Sequence, residues 1–274
     1  MRIISEVRSF GGVQGVYSPK SESTGTDMTF AVFVPDHVPG ARLPVLWYVS
    51  GLTCTHANVM VKGEYRAACA EYGLVLVAPD TIPRGDDVPD AEDEYDFGKG
   101  AGFYVDATEQ PWAEHYRMRS YLEQELSALI TENFPVDMER QSITGHSMGG
   151  HGALTVALRN PETFRSVSAF SPIVAPSQVP WGEKALGRDR AAWREYDAVT
   201  LIKDGANCPP LLVDQGTADD FLEEQLQTDR LIEACKANSI SAEIRMQDGY
   251  DHSYFFISTF MTEHIAWHAR FLSA

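Results

Sequence analysis

The chain has 274 residues, 44% of them hydrophobic and 22% charged, which gives it enough apolar mass for a core without disulfide or metal staples and excludes a disordered or fibrous class. Its 39 acidic against 22 basic residues leave a net charge of −17, and with no Lys/Arg run this argues against nucleic acid and anionic membrane as partners. No apolar run reaches the ~20 residues needed to span a bilayer, and the start MRIISEVRSF is too short and charged for a signal peptide. Cys54, Cys69, Cys208 and Cys235 form no CxxC pair, so free thiols in a reducing, cytoplasmic setting are expected.

In chain order, residues 3–17 read as two short strands around Gly11-Gly12, and Met28–Val34 alternates as a third. The next strand candidates differ in kind. Val45–Ser50, Leu74–Ala78, Ser142–Gly145, Val167–Phe170, Leu211–Val213 and Ala242–Met246 include several short runs apolar on both faces, as in parallel strands buried between helices. Helical patterns fall between them at about Gly63–Tyr72, Glu114–Asn133, Gly149–Arg159, Phe221–Ala237 and Ser253–Phe271. The alternation predicts an α/β fold, a mostly parallel sheet flanked by helices, with the N-terminal antiparallel strands at one edge. Two stretches read as irregular, about Thr81–Pro111 and Pro172–Thr200, and both are excursions from one domain spanning 1–274. The first holds seven carboxylates between Asp86 and Asp96.

Gly145-His146-Ser147-Met148-Gly149 fits GxSxG in its required context of strand, sharp turn and helix. A strained turn projects the Ser147 hydroxyl outward, and neighbours two residues away must lack bulk. The helix that follows aims backbone N–H groups at a developing oxyanion. A serine hydroxyl needs a base, and in this fold the chain order is Ser, acid, His. His252, His264 and His268 follow the nucleophile. His252 sits in a loop between a strand and the last helix, where a base belongs. His264 and His268 are i, i+4 on that helix with no third metal ligand in view, so surface or packing roles are expected. His146 and His151 flank the elbow and are expected to pack. For the acid after Leu211-Leu212-Val213, Asp214, Asp219 and Asp220 compete on spacing, with loop reach favouring Asp219.

With these residues in place the chain resembles the S-formylglutathione hydrolases, the esterase D family of α/β-hydrolases. The resemblance runs from about Val13 to Ala274. Its specific stretches include Ser50-Gly51-Leu52-Thr53-Cys54-Thr55, Gly100-Ala101-Gly102-Phe103-Tyr104, Gly145 to Leu154, Pro180-Trp181-Gly182, Asp214-Gln215-Gly216 and Gly249-Tyr250-Asp251-His252-Ser253. Carried over by position, it implies Ser147 as nucleophile, His252 as base and Asp219 as acid. It implies an oxyanion hole from the backbone N–H groups of Leu52 and Met148, and places Cys54 near the site but outside the triad. The implied activity is hydrolysis of the small-molecule thioester S-formylglutathione to formate and glutathione, in formaldehyde detoxification, with no metal or cofactor and with activity on short esters beside it. Relatives of this kind are often dimers, and no sequence feature bears on that. The chain departs from the pattern in a longer acidic loop, Asp86–Asp96, and in Ala218, where an acidic residue is common.

The triad alone does not separate a thioesterase from a general carboxylesterase, nor either from an acyltransferase, whose acceptor site is not visible. A catalytically dead scaffold would not be expected to keep Ser147, Asp219 and His252. Trp181 and its excursion are candidates for a wall that closes the acyl pocket to anything larger than formyl.

Overall fold

In the computed structural model, which describes residues 1–178 and 182–273, the central strands are the buried runs and the edge strands are more exposed. They are β1 (Arg2–Ser9), β2 (Gly12–Ser18), β3 (Phe30–Pro35), β4 (Leu43–Val49), β5 (Val75–Pro79), β6 (Val136–His146), β7 (Phe164–Phe170), β8 (Leu211–Gly216) and β9 (Ala242–Gln247). They join one sheet in the order β1-β2-β3-β5-β4-β6-β7-β8-β9. The pairs β1–β2, β2–β3 and β3–β5 are antiparallel, and every pair from β5 through β9 is parallel.

The period of two explains why the central strands are apolar throughout. Val45, Trp47 and Val49 face one buried layer, which includes Met148, Ala153 and Val156 of the helix after β6. Leu46 and Tyr48 face the other, packed with Ala68, Cys69, Phe256, Ile257 and Met261. The helices that cover these faces are α1 (His56–Lys62), α2 (Arg66–Tyr72), α3 (Met148–Arg159), α4 (Thr228–Ala237) and α5 (Tyr254–Leu272).

Several boundaries differ from the sequence pattern, each for a local reason. The segment before Gly63 is a helix of its own. Thr55 caps α1 through the Ala57 N–H, with Asn58 reaching back to the Thr55 N–H, and Gly63 ends it. The expected helix over 114–133 begins as a 3-10 turn at Trp112–Glu114 and passes through a π-helical turn at Tyr121–Leu126. The expected helix over 221–237 is split at Gln227, whose φ of 55° is left-handed. The second irregular stretch contains short helices at Glu183–Leu186 and Arg190–Trp193, and Ala198–Lys203 begins within it.

Candidate active site

Ser147 lies between the end of β6 and the start of α3, with φ 57° and ψ −118°. This is the strained turn that GxSxG requires. The two glycines are explained by space as much as by conformation. A Cβ on Gly149 would overlap the Val49 carbonyl oxygen, and one on Gly145 would overlap the Gly149 carbonyl. The turn is pinned by the Ser147 N–H, which donates to Phe170 O at 2.9 Å, and by His151 N–H, which donates to Ser147 O at 2.9 Å. Because β6 sits mid-sheet, with Gly145 paired to both Val49 and Ala169, the elbow cannot shift sideways.

Ser147, Met148, Leu52 and His252 line one cavity of about 480 Å³, of the size usual for a small-molecule site. Its wall also includes Phe103, His146, Ile173, Phe221, Leu226, Tyr95, Asp96, Glu224 and Gln225. Leu52 is held beside the elbow by its own loop. Thr53 N–H donates to Gly100 O at 2.8 Å, and a Cβ on Gly51 would stand 3.3 Å from Ser147 Cβ. The Gly100–Tyr104 segment supports the elbow from the other side, where Phe103 N–H points at Met148 Sδ, 3.4 Å away.

His252 and Asp219 come together from two neighbouring loops, after β9 and after β8. His252 Nδ1 lies 2.6 Å from Asp219 Oδ2. An ionised carboxylate only accepts, so Nδ1 carries a proton, and in the neutral ring the lone pair is therefore on Nε2. Asp219 Oδ1 accepts from the Phe221 N–H at 3.0 Å, and Oδ2 accepts a second bond from Gln215 Nε2 at 3.2 Å. Burial works to raise the Asp219 pKa, but the bond and charge of His252 and the Phe221 N–H outweigh it and hold the carboxyl below its ordinary range. The loops themselves are cross-linked: Thr217 N–H donates to Gln247 O at 3.0 Å and Ala218 N–H to Tyr250 O at 2.9 Å. The His252 ring is flanked by His146, with centroids 4.5 Å apart, and by the edge of Phe221 at 5.0 Å. Burial, and then the nearness of His252, push the His146 pKa well below the usual imidazole range, so no second cation competes there.

The rival residues are elsewhere. Asp214 is fully buried and bonds Arg245, Gln247 Nε2 at 2.8 Å and His264 Nε2 at 3.0 Å. His264 Nδ1 and His268 Nε2 each lie 2.8 Å from Ser168 Oγ. This Ser168–His264–Asp214 chain has the residue types of a triad but no exposed surface through which a substrate could reach Ser168. His264 and His268 are therefore interior polar packing, not surface residues. Asp220 is exposed.

Cys54 is a free thiol, as are Cys69, Cys208 and Cys235. It follows the cavity residues Leu52 and Thr53 but is not itself part of the cavity wall. Burial pushes its pKa up against the opposing contacts of Tyr254 and Lys62. Since the thiolate is the reactive form, a neutral reagent such as iodoacetamide is expected to inactivate slowly at pH 7 and faster as pH rises. Cys54→Ser should keep activity within about threefold, as a change off the reacting atoms. Equal inactivation of both proteins would remove Cys54 as the sensitive thiol. Trp181 lies outside the described residues.

Sequence reasoning did not assign the roles that Gln215, His146, Tyr95 and Gln225 play at the site. Gln215 stood within a recognised stretch, but its amide role was not legible. The stacking of His146 on His252 required the elbow's geometry. Tyr95 and Gln225, both on the cavity wall, are joined by a bond in which Gln225 Nε2 donates to Tyr95 Oη at 2.9 Å. That bond and the Lys184–Glu94 ion pair tie the acidic loop to the helical turns at Leu222–Leu226 and Glu183–Leu186.

The buried histidines carry a stability consequence. Burial lowers the pKa of His264 and His268, and brings His151 to about 4. An unfolded histidine titrates near 6.5. A group whose folded pKa is depressed contributes stability that is whole above 6.5 and is lost as pH falls toward the folded value. For His151 alone the loss between pH 7.5 and pH 5 is about 2 kcal/mol. Asp214, whose hydrogen bonds from His264 and Arg245 overcome burial and lower it to about 2, adds its loss only below about pH 4. Thermal unfolding at fixed ionic strength should therefore show a clearly lower Tm at pH 5 than at pH 7.5. An unchanged Tm would contradict neutral burial of these rings.

The sheet order, the elbow and the cavity together define a serine hydrolase of the α/β-hydrolase class. The Esterase family model matches residues 21–271. S-formylglutathione hydrolase of Paracoccus denitrificans (strain Pd 1222) is 53% identical over 272 residues, covering 97% of this chain and 96% of that protein. S-formylglutathione hydrolase of Mus musculus is 49% identical over 280 residues, covering 100% and 99%. A solved S-formylglutathione hydrolase from Agrobacterium tumefaciens superposes with a TM-score of 0.97 at 59% identity, over 99% of this chain and 100% of that one. The chain belongs to the Esterase family and, by full-length identity, to its S-formylglutathione hydrolases.

Proposed function

We propose that this hydrolase cleaves S-formylglutathione to formate and glutathione, with Ser147 as nucleophile, His252 as base and Asp219 as acid. The observation that carries the reading is the 2.6 Å contact between His252 Nδ1 and Asp219 Oδ2, in a cavity that His252 shares with the elbow serine. His252 Nε2 takes the Ser147 proton as Oγ bonds to the thioester carbon. Asp219 fixes the tautomer and stabilises the imidazolium. The carbonyl oxygen gains negative charge against the backbone N–H groups of Leu52 and Met148. The C–S bond then breaks as His252 passes its proton to the sulfur, so glutathione leaves as the thiol and His252 is neutral again; the transfer is undemanding because a thiol's pKa is only about 8.5. Water, giving its proton to His252, attacks the formyl-enzyme, and as the ester C–O bond breaks His252 returns that proton to Ser147 Oγ and formate leaves.

The supports are full-length identity to proteins named for this reaction and the residue geometry. On the same reading the chain acts as one domain over 1–274, in the cytoplasm, within formaldehyde detoxification, and pairs as a homodimer. The deciding experiment is kcat/KM for S-formylglutathione beside S-acetyl and S-butyryl analogues and p-nitrophenyl acetate. Each added methylene in a pocket shaped for formyl should lower kcat/KM by about 10–200-fold. A flat acyl series, or p-nitrophenyl acetate as the better substrate, would make the chain a general carboxylesterase instead.

A further inference from the structure

Two polar side chains behind the acid have no part in the chemistry above. Gln215, the last residue but one of β8, has no exposed surface. Its Nε2 donates to Asp219 Oδ2 at 3.2 Å and to Gly216 O at 3.1 Å. Its Oε1 accepts from Thr228 Oγ1 at 2.9 Å, and Thr228, the first residue of α4, is buried as well.

We propose that Gln215, oriented by Thr228, is a positioning residue that fixes the Asp219 carboxylate for His252. An amide has distinguishable ends, and here the surroundings allow one orientation. Turned over, Oε1 would face the Asp219 carboxylate, two acceptors opposed in a buried site, while Nε2 would be withdrawn from both of its acceptors. The Thr228 hydroxyl holds Oε1 on the far side and so keeps Nε2 aimed at Oδ2. That oxygen is the one His252 Nδ1 also uses. Two donors converging on Oδ2, with the Phe221 N–H on Oδ1, leave the carboxylate no free rotation. Thr228, Gln215, Asp219 and His252 thus form one chain of hydrogen bonds running from the start of α4 to the base. Such chains matter beyond their individual bonds, because each donor shares the negative charge that would otherwise fall wholly on the imidazole.

The sign of the effect follows. Without the Gln215 donor, more of the carboxylate's charge faces His252, the imidazolium is held more tightly, and activity that needs the neutral ring is lost at higher pH. The other titratable groups facing this ring are His146, stacked on it, Tyr95, Asp96 and Glu224 on the cavity wall, and Asp251, which bonds Ser253. None of them bonds Gln215 or Thr228, so removing the amide changes only the Asp219 side.

The inference rests on Asp219 and His252 acting as proposed, and the test separates the two. Gln215→Leu, Thr228→Val, Asp219→Ala and the Gln215→Leu/Asp219→Ala double variant are compared for kcat/KM on S-formylglutathione from pH 5.5 to 8.5, with Tm recorded for each. Gln215→Leu should lose about 10–100-fold, as supporting residues of this kind do, with its acidic limb moved to higher pH. Thr228→Val should shift the limb the same way with a smaller loss. In the Asp219→Ala background the Gln215 change should cost less than about twofold, because residues acting through one another are not additive. The same fold loss in both backgrounds, or an acidic limb that does not move in either folded variant, would overturn the role and leave Gln215 as packing. Should Gln215→Leu fail to fold, the limb of Thr228→Val decides. If Asp219→Ala alone stays within tenfold of the parent, the acid assignment itself fails, a result that does not depend on Gln215.

Discussion

Ser147→Ala is expected to lower kcat by about 10⁶ while the protein stays folded, the loss seen when the nucleophile of a triad is removed. The loss is that large because no neighbour can substitute. His252 would still be held by Asp219, but it would have only water to activate. What remains is the rate that binding and the oxyanion donors give to a water attack, about 10³–10⁴ over solution. The fold should survive. The substitution deletes one oxygen from a residue whose backbone N–H and C=O, rather than its side chain, carry the bonds to Phe170 and His151. A fluorophosphonate label and single-turnover kinetics give the check. Labelling lost together with turnover confirms the nucleophile, and turnover within tenfold of the parent would reject it.

The second large effect is Asp219→Asn, expected to cost about 10⁴ in kcat with little change in fold. An amide in this place can offer its N–H to His252 Nδ1, which favours the wrong tautomer and leaves Nε2 protonated when it should accept. Asp214→Asn should act in the opposite way. Asp214 is joined to His264, Arg245 and Gln247, not to His252. Neutralising it leaves Arg245 without its buried counter-charge, and the expected result is a stability loss of about 1–3 kcal/mol with kcat largely kept. Measuring kcat and Tm on both variants decides between the carboxylates. A larger kcat loss for Asp214→Asn in a folded protein would move the acid to β8 itself.

That contrast shows where the sequence could be read and where it could not. The elbow was legible because its requirements are local: two glycines where a Cβ meets backbone, after an apolar strand and before a helix. The sheet order was legible in outline, since strands apolar on both faces differ from the alternating ones at the N-terminal edge. The acid was harder. Asp214, Asp219 and Asp220 lie within seven residues, and the choice depends on which way a loop turns after β8. That turn is set by bonds to Gln247 and Tyr250, about thirty residues further on. For His264 and His268 the sequence left surface and packing roles open, because an i, i+4 spacing does not say which face of α5 is covered; both lie on its buried face with Met261, Ile265 and Leu272, while Thr262, Glu263 and Arg270 are exposed. The split of the 221–237 segment was invisible for another reason: Gln227 adopts a left-handed conformation with no glycine or asparagine to announce it.

The bond between Tyr95 and Gln225 has a consequence for motion. It joins the acidic loop to the helical turn Leu222–Leu226 on the cavity wall, and Tyr95 is largely in water. A single hydrogen bond in that setting contributes no more than about 1 kcal/mol, so the bond itself is broken in roughly one molecule in six. Side-chain rotations of this kind take nanoseconds or less, so the contact is made and broken many times within a turnover of milliseconds or longer.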